Sequence, residues 1–307
     1  MKNIYLGFDH GTTSIRFALI SDEGVLVQRE MLRKEAGAME LPDLQNHIEE
    51  QIGLPLSKIT MACLTYSMGD AISQIQDIRA VTNRGVLSAE GVGEKTGAGA
   101  KVFDIFKNSS CPAVLLPGLH KNSPTDPRMT FFSHQAGPEK IGIAYHAYCL
   151  GHRRFIVSDI GSNTVTLAYS DPRILGAVDA CIFAPGRRQG PLDVQAIRDV
   201  DAGKQTANAA FSKGGVGPSP PMLAFYAAME IRALDILMKD GNPAPYDILI
   251  SGSGSLDQEL MSELQRLLQT PVFPLGKWAA ATGCAEIAKS IANGKKEILG
   301  IDVVKSK

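Results

Sequence analysis

Two segments of this chain repeat one another at an interval of 150 residues, and that duplication restricts what it can fold into. Near the start stands Phe8-Asp9-His10-Gly11-Thr12-Thr13-Ser14-Ile15-Arg16-Phe17-Ala18-Leu19. The second copy reads Ser158-Asp159-Ile160-Gly161-Ser162-Asn163-Thr164-Val165-Thr166-Leu167-Ala168-Tyr169. Aspartate aligns with aspartate and glycine with glycine; small hydroxyl or amide residues follow, and then a β-branched, apolar run. Each copy is preceded by an apolar strand, Ile4–Phe8 or Phe155–Val157. Each is followed by turn residues, Ser21-Asp22-Glu23-Gly24 or Ser170-Asp171-Pro172, and then by a third strand. Two unrelated hairpins would also explain one such match, because Asp-x-Gly-Ser/Thr is common turn chemistry; two at corresponding places make a duplicated α/β domain the expectation.

The chemistry of these turns suits phosphate. Gly11 and Gly161 permit a tight backbone and close approach of a ligand. The hydroxyls and backbone N–H groups of Thr12, Thr13 and Ser14, and of Ser162 and Asn163, can hydrogen-bond phosphate oxygens. Asp9 and Asp159, each at a strand end, can hold Mg²⁺ through the waters that ion retains. In the second half, Pro245–Ile250 reads as a buried strand ending in Ser251-Gly252-Ser253-Gly254-Ser255, with a helical period over Asp257–Leu268. A strand closed by such a turn lets backbone lie flat against an adenine or ribose.

Further helices are expected at Leu44–Ile52, Gly99–Phe106, Pro138–Leu150, Met222–Met238 and Ala279–Asn293. Residues 1–150 form the first expected domain and 151–307 the second, with the last helix and its tail possible returns to the first. The glycine-rich stretch Thr82–Gly99 lacks the Gly-Lys adjacency of a P-loop and reads either as a substrate-facing lid or as a surface loop. Arg187 and Arg188, within Pro185–Asp193, either clamp an anionic group or face solvent and pair with acids such as Asp193.

Composition removes several classes. A net charge of −1 and 21% charged residues give no basic surface for nucleic acid. Five scattered cysteines without a CxxC pair fit a reducing compartment rather than a disulfide framework. No apolar run reaches membrane-spanning length, and the chain reads as cytoplasmic. His134, His146 and His152 lack zinc-ligand spacing, no Gly-x-Ser-x-Gly serine elbow occurs, and Trp278 reads as core.

The order hairpin, hairpin, strand–Gly-x-Gly–helix resembles the actin-like ATPase superfamily of actin, Hsp70 chaperones, sugar kinases and acetate kinases. The resemblance implies a duplicated ribonuclease H-like fold of two domains with a nucleotide cleft between them, and ATP with Mg²⁺ as cofactors. By that likeness Asp9, Gly11, Thr12 and Thr13 form the phosphate-1 motif, and Asp159, Gly161, Ser162 and Asn163 form phosphate-2. Gly252, Ser253 and Gly254 form the adenosine motif, and helices 138–150 and 279–293 are the connecting helices. Longer strings, among them Asn83-Arg84-Gly85-Val86, Phe132–Lys140, Gly190-Pro191-Leu192-Asp193 and Gly283–Ala288, resemble the archaeal methanogenesis marker protein 12 family, related to acetate and butyrate kinases.

These likenesses imply phosphoryl transfer from ATP to a small anionic acceptor, with Asp159, Arg84, Arg187 and Arg188 as the catalytic candidates and Asp9 and Asp159 on the metal. A nucleotide-driven switch that assists maturation of a methanogenesis enzyme is the competing reading, and a phosphohydrolase the third. The implied partners are the nucleotide, the acceptor and, for a switch, a methanogenesis-related protein; a homodimer is left open, and no nucleic acid or membrane is expected.

Overall fold

The computed structural model describes residues 3–66, 71–82, 84 and 97–304. It divides into two compact units: Met1–Pro124 with Phe132–Gly151 and Trp278–Lys307, and Thr125–Phe131 with His152–Lys277.

Unit 1 opens with β1 (Ile4–His10), β2 (Ser14–Ser21) and β3 (Gly24–Leu32), then α1 (Arg33–Ala38), α2 (Leu41–Ile52), β4 (Met61–Leu64) and β5 (Ile75–Asp77). It continues with α3 (Ala98–Asn108), β6 (Ala113–Leu115), β7 (Leu119–His120), β8 (His134–Ala136) and α4 (Glu139–Cys149). In unit 2, β9 (Arg154–Ile160), β10 (Thr164–Ser170) and β11 (Arg173–Val178) precede α5 (Val194–Asp201), α6 (Ala207–Lys213) and α7 (Pro220–Lys239). It ends with β12 (Asp247–Ser251), α8 (Gln258–Leu268) and β13 (Phe273–Gly276); α9 (Ala279–Ala292), β14 (Glu297–Ile298) and β15 (Ile301–Val304) belong to unit 1.

The sheets carry the duplication. In unit 1 the strand order is β14-β15-β5-β6-β4-β1-β2-β3, and in unit 2 it is β11-β10-β9-β12-β13. The run β3-β2-β1-β4-β6 therefore matches β11-β10-β9-β12-β13: a three-stranded antiparallel meander, then two parallel strands. β1 is interior to its sheet and Tyr5, Leu6 and Phe8 are all buried, which explains its unbroken apolar run. β3, at an edge, is largely exposed and carries Gln28, Arg29 and Glu30.

Helices lie where their period places them. α2 buries Leu44, Ile48 and Ile52, one stripe at four-residue spacing, and closes on Gly53 at φ 72°. α7 starts on Pro220 and Pro221, whose missing N–H groups cost nothing in a first helical turn.

The last helix packs in unit 1 because its face is built from small residues. α9 lies against β1, β2, β4 and α4. Where it meets α4, a Cβ on Gly283 would fall 1.8 Å from the Gly142 carbonyl oxygen, so only glycine allows this approach. The chain then returns to the sheet, β15 pairing parallel with β5. The halves of the sequence accordingly do not end at 150 and 307: residues 278–307 cluster with unit 1, and the short segment Thr125–Phe131 clusters with unit 2, where the Asp126 N–H bonds to the Leu175 carbonyl. Trp278, expected in the core, is half-buried at the N-cap of α9.

Candidate functional site

The first Asp-x-Gly turn joins β1 to β2 and is built on a ladder of charges. Asp9 lies opposite Arg16, and Arg16 lies opposite Glu30 on β3. The Arg16 guanidinium reaches Asp9 Oδ2 and Glu30 Oε1, both at 3.2 Å, so two carboxylates share one cation. Asp9 is buried, and the Ser14 hydroxyl donates to Glu30 at 2.5 Å. Ser14, grouped with the phosphate-binding residues by sequence, is thus the buried first residue of β2, its hydroxyl engaged with Glu30. Gly11 is half-buried, Thr12 and Thr13 are exposed, and the Arg33 N–H donates to the Thr13 carbonyl.

Next to Asp9, the His10 ring packs on Tyr66 with centroids 4.6 Å apart, and the His10 N–H donates to Thr65 Oγ1. Burial and then the Arg33 guanidinium lower His10 to about 3, which leaves the imidazole neutral at neutral pH. Burial and then Asp9 push the Tyr66 phenol well above its ordinary value.

The second turn, residues 161–163, joins β9 to β10 and is held from both sides. Its Gly161 N–H donates to the Asn163 carbonyl. The Arg187 N–H donates to the Gly161 carbonyl, and the Arg188 and Gln189 N–H groups both donate to that of Ser162. Behind this loop lies a further layer, with the Gly215, Val216 and Gly217 N–H groups on the carbonyls of Arg188, Gly186 and Arg187. The layers are so close that a Cβ on Gly186 would sit 2.4 Å from Asn163 Cα. From the third side comes the loop after β12, which runs parallel to β9 with Ser251 beside Asp159. Gly252 takes φ 77°, and a Cβ there would lie 2.5 Å from Asp159 Oδ1.

The adjacent arginines have different fates. Arg187 Nη1 donates to Ser253 Oγ at 2.7 Å and its Nη2 pairs with Asp257 at 3.2 Å, so it ties the second turn to the 252–257 loop. Arg188 is exposed, with its backbone fixed on both sides. Asp193, weighed above as an arginine partner, instead caps α5 by accepting from the Ala196 N–H. Within unit 2 the residues Asp159, Gly161, Ser162, Asn163, Arg187, Gly252, Ser253 and Gly254 thus form one constellation. The Lys213–Gly217 layer and Asp257 belong to it and were not singled out from the sequence, although Gly-Gly-Val-Gly was a signal of close backbone approach.

Most of the glycine-rich stretch, including Gly85, Gly91 and Glu94, lies outside the described residues. Arg84 is described: it adopts φ 52°, pairs with Asp104 at 3.0 Å and lies over the Phe103 ring at 5.8 Å. Among the described residues no group of three or more His, Cys, Asp or Glu is placed to hold a metal ion, and no helix is long and apolar enough to cross a membrane.

Solved structures share this architecture. An acetate kinase from Porphyromonas gingivalis superposes with a TM-score of 0.58 at 10% identity, covering 94% of this chain and 99% of that one. A ROK family glucokinase from Streptomyces griseus, solved with glucose and AMPPNP, gives 0.52 at 13% identity over 94% of this chain and 100% of that one. The fold is the α/β fold of the acetate and sugar kinases, the actin-like ATPase class.

No family model matches the chain. Its relatives are nevertheless clear. It is 47% identical over 322 aligned residues to the UPF0285 protein of Methanosarcina acetivorans, with 97% of this chain and 98% of that one covered. It is 39% identical to one from Methanococcus maripaludis and 38% identical to one from Methanocaldococcus jannaschii, each over 98% of this chain and 99% of the relative. The chain belongs to the UPF0285 family.

Proposed function

We propose that this protein binds ATP with Mg²⁺ and transfers the γ-phosphoryl group to the carboxylate of a small acid, giving ADP and an acyl phosphate. The observation that carries the nucleotide reading is the constellation in unit 2, where three backbone layers meet at the Asp159 carboxylate. A turn with its N–H groups, a glycine at positive φ and a fixed arginine are what a polyphosphate chain and a flat nucleoside require. In this reading Gly161, Ser162 and Asn163 serve the phosphates, Gly252, Ser253 and Gly254 the nucleoside, and Gly11, Thr12 and Thr13 the phosphates from the first turn.

The two aspartates fit the metal unequally. Asp159 is half-buried and suits Mg²⁺ held through its waters. Asp9 is buried against Arg16, so its part is to orient the first turn and to act on the ion at second hand. Bound Mg²⁺ would neutralise charge on the phosphates. Arg188, exposed on a fixed backbone, is the arginine available to the transferring group; Arg187 positions the nucleoside loop, and Arg84 belongs with Asp104 and Phe103 beside the first turn. A carboxylate acceptor is ionised near neutral pH and needs no general base. The relatives come from methanogens, and the acid is proposed to belong to their metabolism.

Calorimetric titration with Mg·ATP tests the first step, and product assays with a panel of small acids test the second. Binding in the wild type that weakens at least about tenfold in Asp159→Asn is expected. Equal binding in both would remove the site. Tight binding with no phosphorylated acid, and hydrolysis stimulated by a co-purifying protein, would replace the kinase by a nucleotide-driven switch.

A further inference from the structure

Beside the first turn, unit 1 contains polar groups that nucleotide binding leaves unused. Tyr66 is 2% exposed, and its hydroxyl has no hydrogen-bond partner. His10 Nε2 is likewise buried and unpartnered. Such orphans are rare in folded proteins, and each implies something else that bonds it. Both rings press on the first turn of α3, where a Cβ on Gly99 would come within 2.8 Å of Tyr66 and 2.9 Å of His10.

That helix start is itself open. No side chain caps α3 at Gly97, so its first N–H groups are without an intrahelical acceptor and the positive end of an 11-residue helix faces this corner. One cation completes the set: Arg33 Nη2 lies 3.6 Å from where a Cβ on Gly97 would stand. Arg33 acts electrostatically on both His10 and Tyr66, and it makes no ion pair among the described residues. The nearby Asp9 carboxylate is already matched by Arg16.

We propose that this corner, formed by Tyr66, His10, Arg33 and the first turn of α3, is an oxyanion site that takes the carboxylate of a small organic acid. The class follows from the charge count. A single guanidinium beside uncharged donors matches a single negative charge, whereas a phosphate dianion calls for more positive charge. As the acceptor's binding site it rests on the phosphotransferase reading, but its occupancy does not depend on ATP.

The test is therefore run without nucleotide. Ligand-observed NMR titrations of the full chain use acetate and butyrate, with acetamide as the uncharged isostere and inorganic phosphate as the dianion. The carboxylates are expected to bind more tightly than either control. Tyr66→Phe, which keeps the ring and its packing, should weaken carboxylate binding by about tenfold, and Arg33→Gln by at least as much, with Arg33→Lys recovering part of the loss. Circular dichroism and thermal melts identify any variant that fails to fold, and Tyr66→Phe decides the matter if Arg33→Gln does. Acetamide binding as well as acetate, phosphate binding more tightly than either acid, no carboxylate binding at all, or affinities unchanged in the folded variants would each overturn the assignment. Mg·ATP titrations on the same samples keep failure of the nucleotide reading separate.

Discussion

The two Asp-x-Gly turns have one sequence pattern and two strand registers. In the first, His10 opposes Ile15 and Asp9 opposes Arg16. In the second, Ile160 opposes Thr164, so the loop is one residue shorter and Asp159 opposes Val165. Thr166 stands where Arg16 does in the repeat, yet it lies across from Ser158, and their hydroxyls share a hydrogen bond of 2.9 Å. A slip of one residue changes every cross-strand partner. The first aspartate is consequently matched by a cation within its own sheet, and the second is left to the 252–254 loop. Nearly identical turns have become a structural anchor and an open carboxylate.

That contrast can be attacked at four points, taken from the largest expected effect to the smallest. Behind the second turn, Glu230 is 1% exposed, accepts from the Ala184 N–H just ahead of the arginine loop, and is raised by burial to about 8. Its folded value lies above the unfolded one, so between about pH 4.5 and pH 8 the folded state holds a proton that the unfolded state lacks. Stability is full at the acid end and is lost as pH rises toward 8, by about 1 kcal/mol per pH unit and several in total. Chemical denaturation across this range should reveal the slope in the wild type and its absence in Glu230→Gln; a slope that survives the substitution would clear Glu230.

Gly186→Ala drives a methyl into the Asn163 backbone and should cost about 2–3 kcal/mol and most of the Mg·ATP affinity. A wild-type affinity in that variant would mean that the layered turn does not serve the nucleotide. Asp9→Asn leaves Arg16 with Glu30 alone and should lower stability by about 1–2 kcal/mol. Asp159→Asn, opposite no cation, should shift stability by less than about 0.5 kcal/mol while weakening Mg·ATP. Thermal melts of this pair check the contrast directly, and equal losses would erase the distinction between anchor and open carboxylate.

Much of this molecule could be read before it was seen folded. The repeat located both turns, and the runs at 44–52, 222–238 and 257–268 are helical because apolar period and capping residues are local properties. The partners of the site residues were not readable in the same way. Ser14 looked like a third phosphate hydroxyl until β3 supplied Glu30 beside it. Arg187 and Arg188 are chemically identical in sequence, and only the approach of Ser253 and Asp257, more than 60 positions away, separates them. Tyr66 gave no signal, since an orphaned hydroxyl is defined by what fails to surround it.

Sequence alone determined the duplicated α/β plan, because strand periodicity, turn chemistry and the return of one pattern after 150 residues are carried by neighbouring residues. Tertiary structure decided the register of each turn, which carboxylate meets a cation, and the return of 278–307 to the first unit. Those outcomes depend on contacts between residues far apart in the chain, where one residue of loop length or one missing Cβ selects the partner.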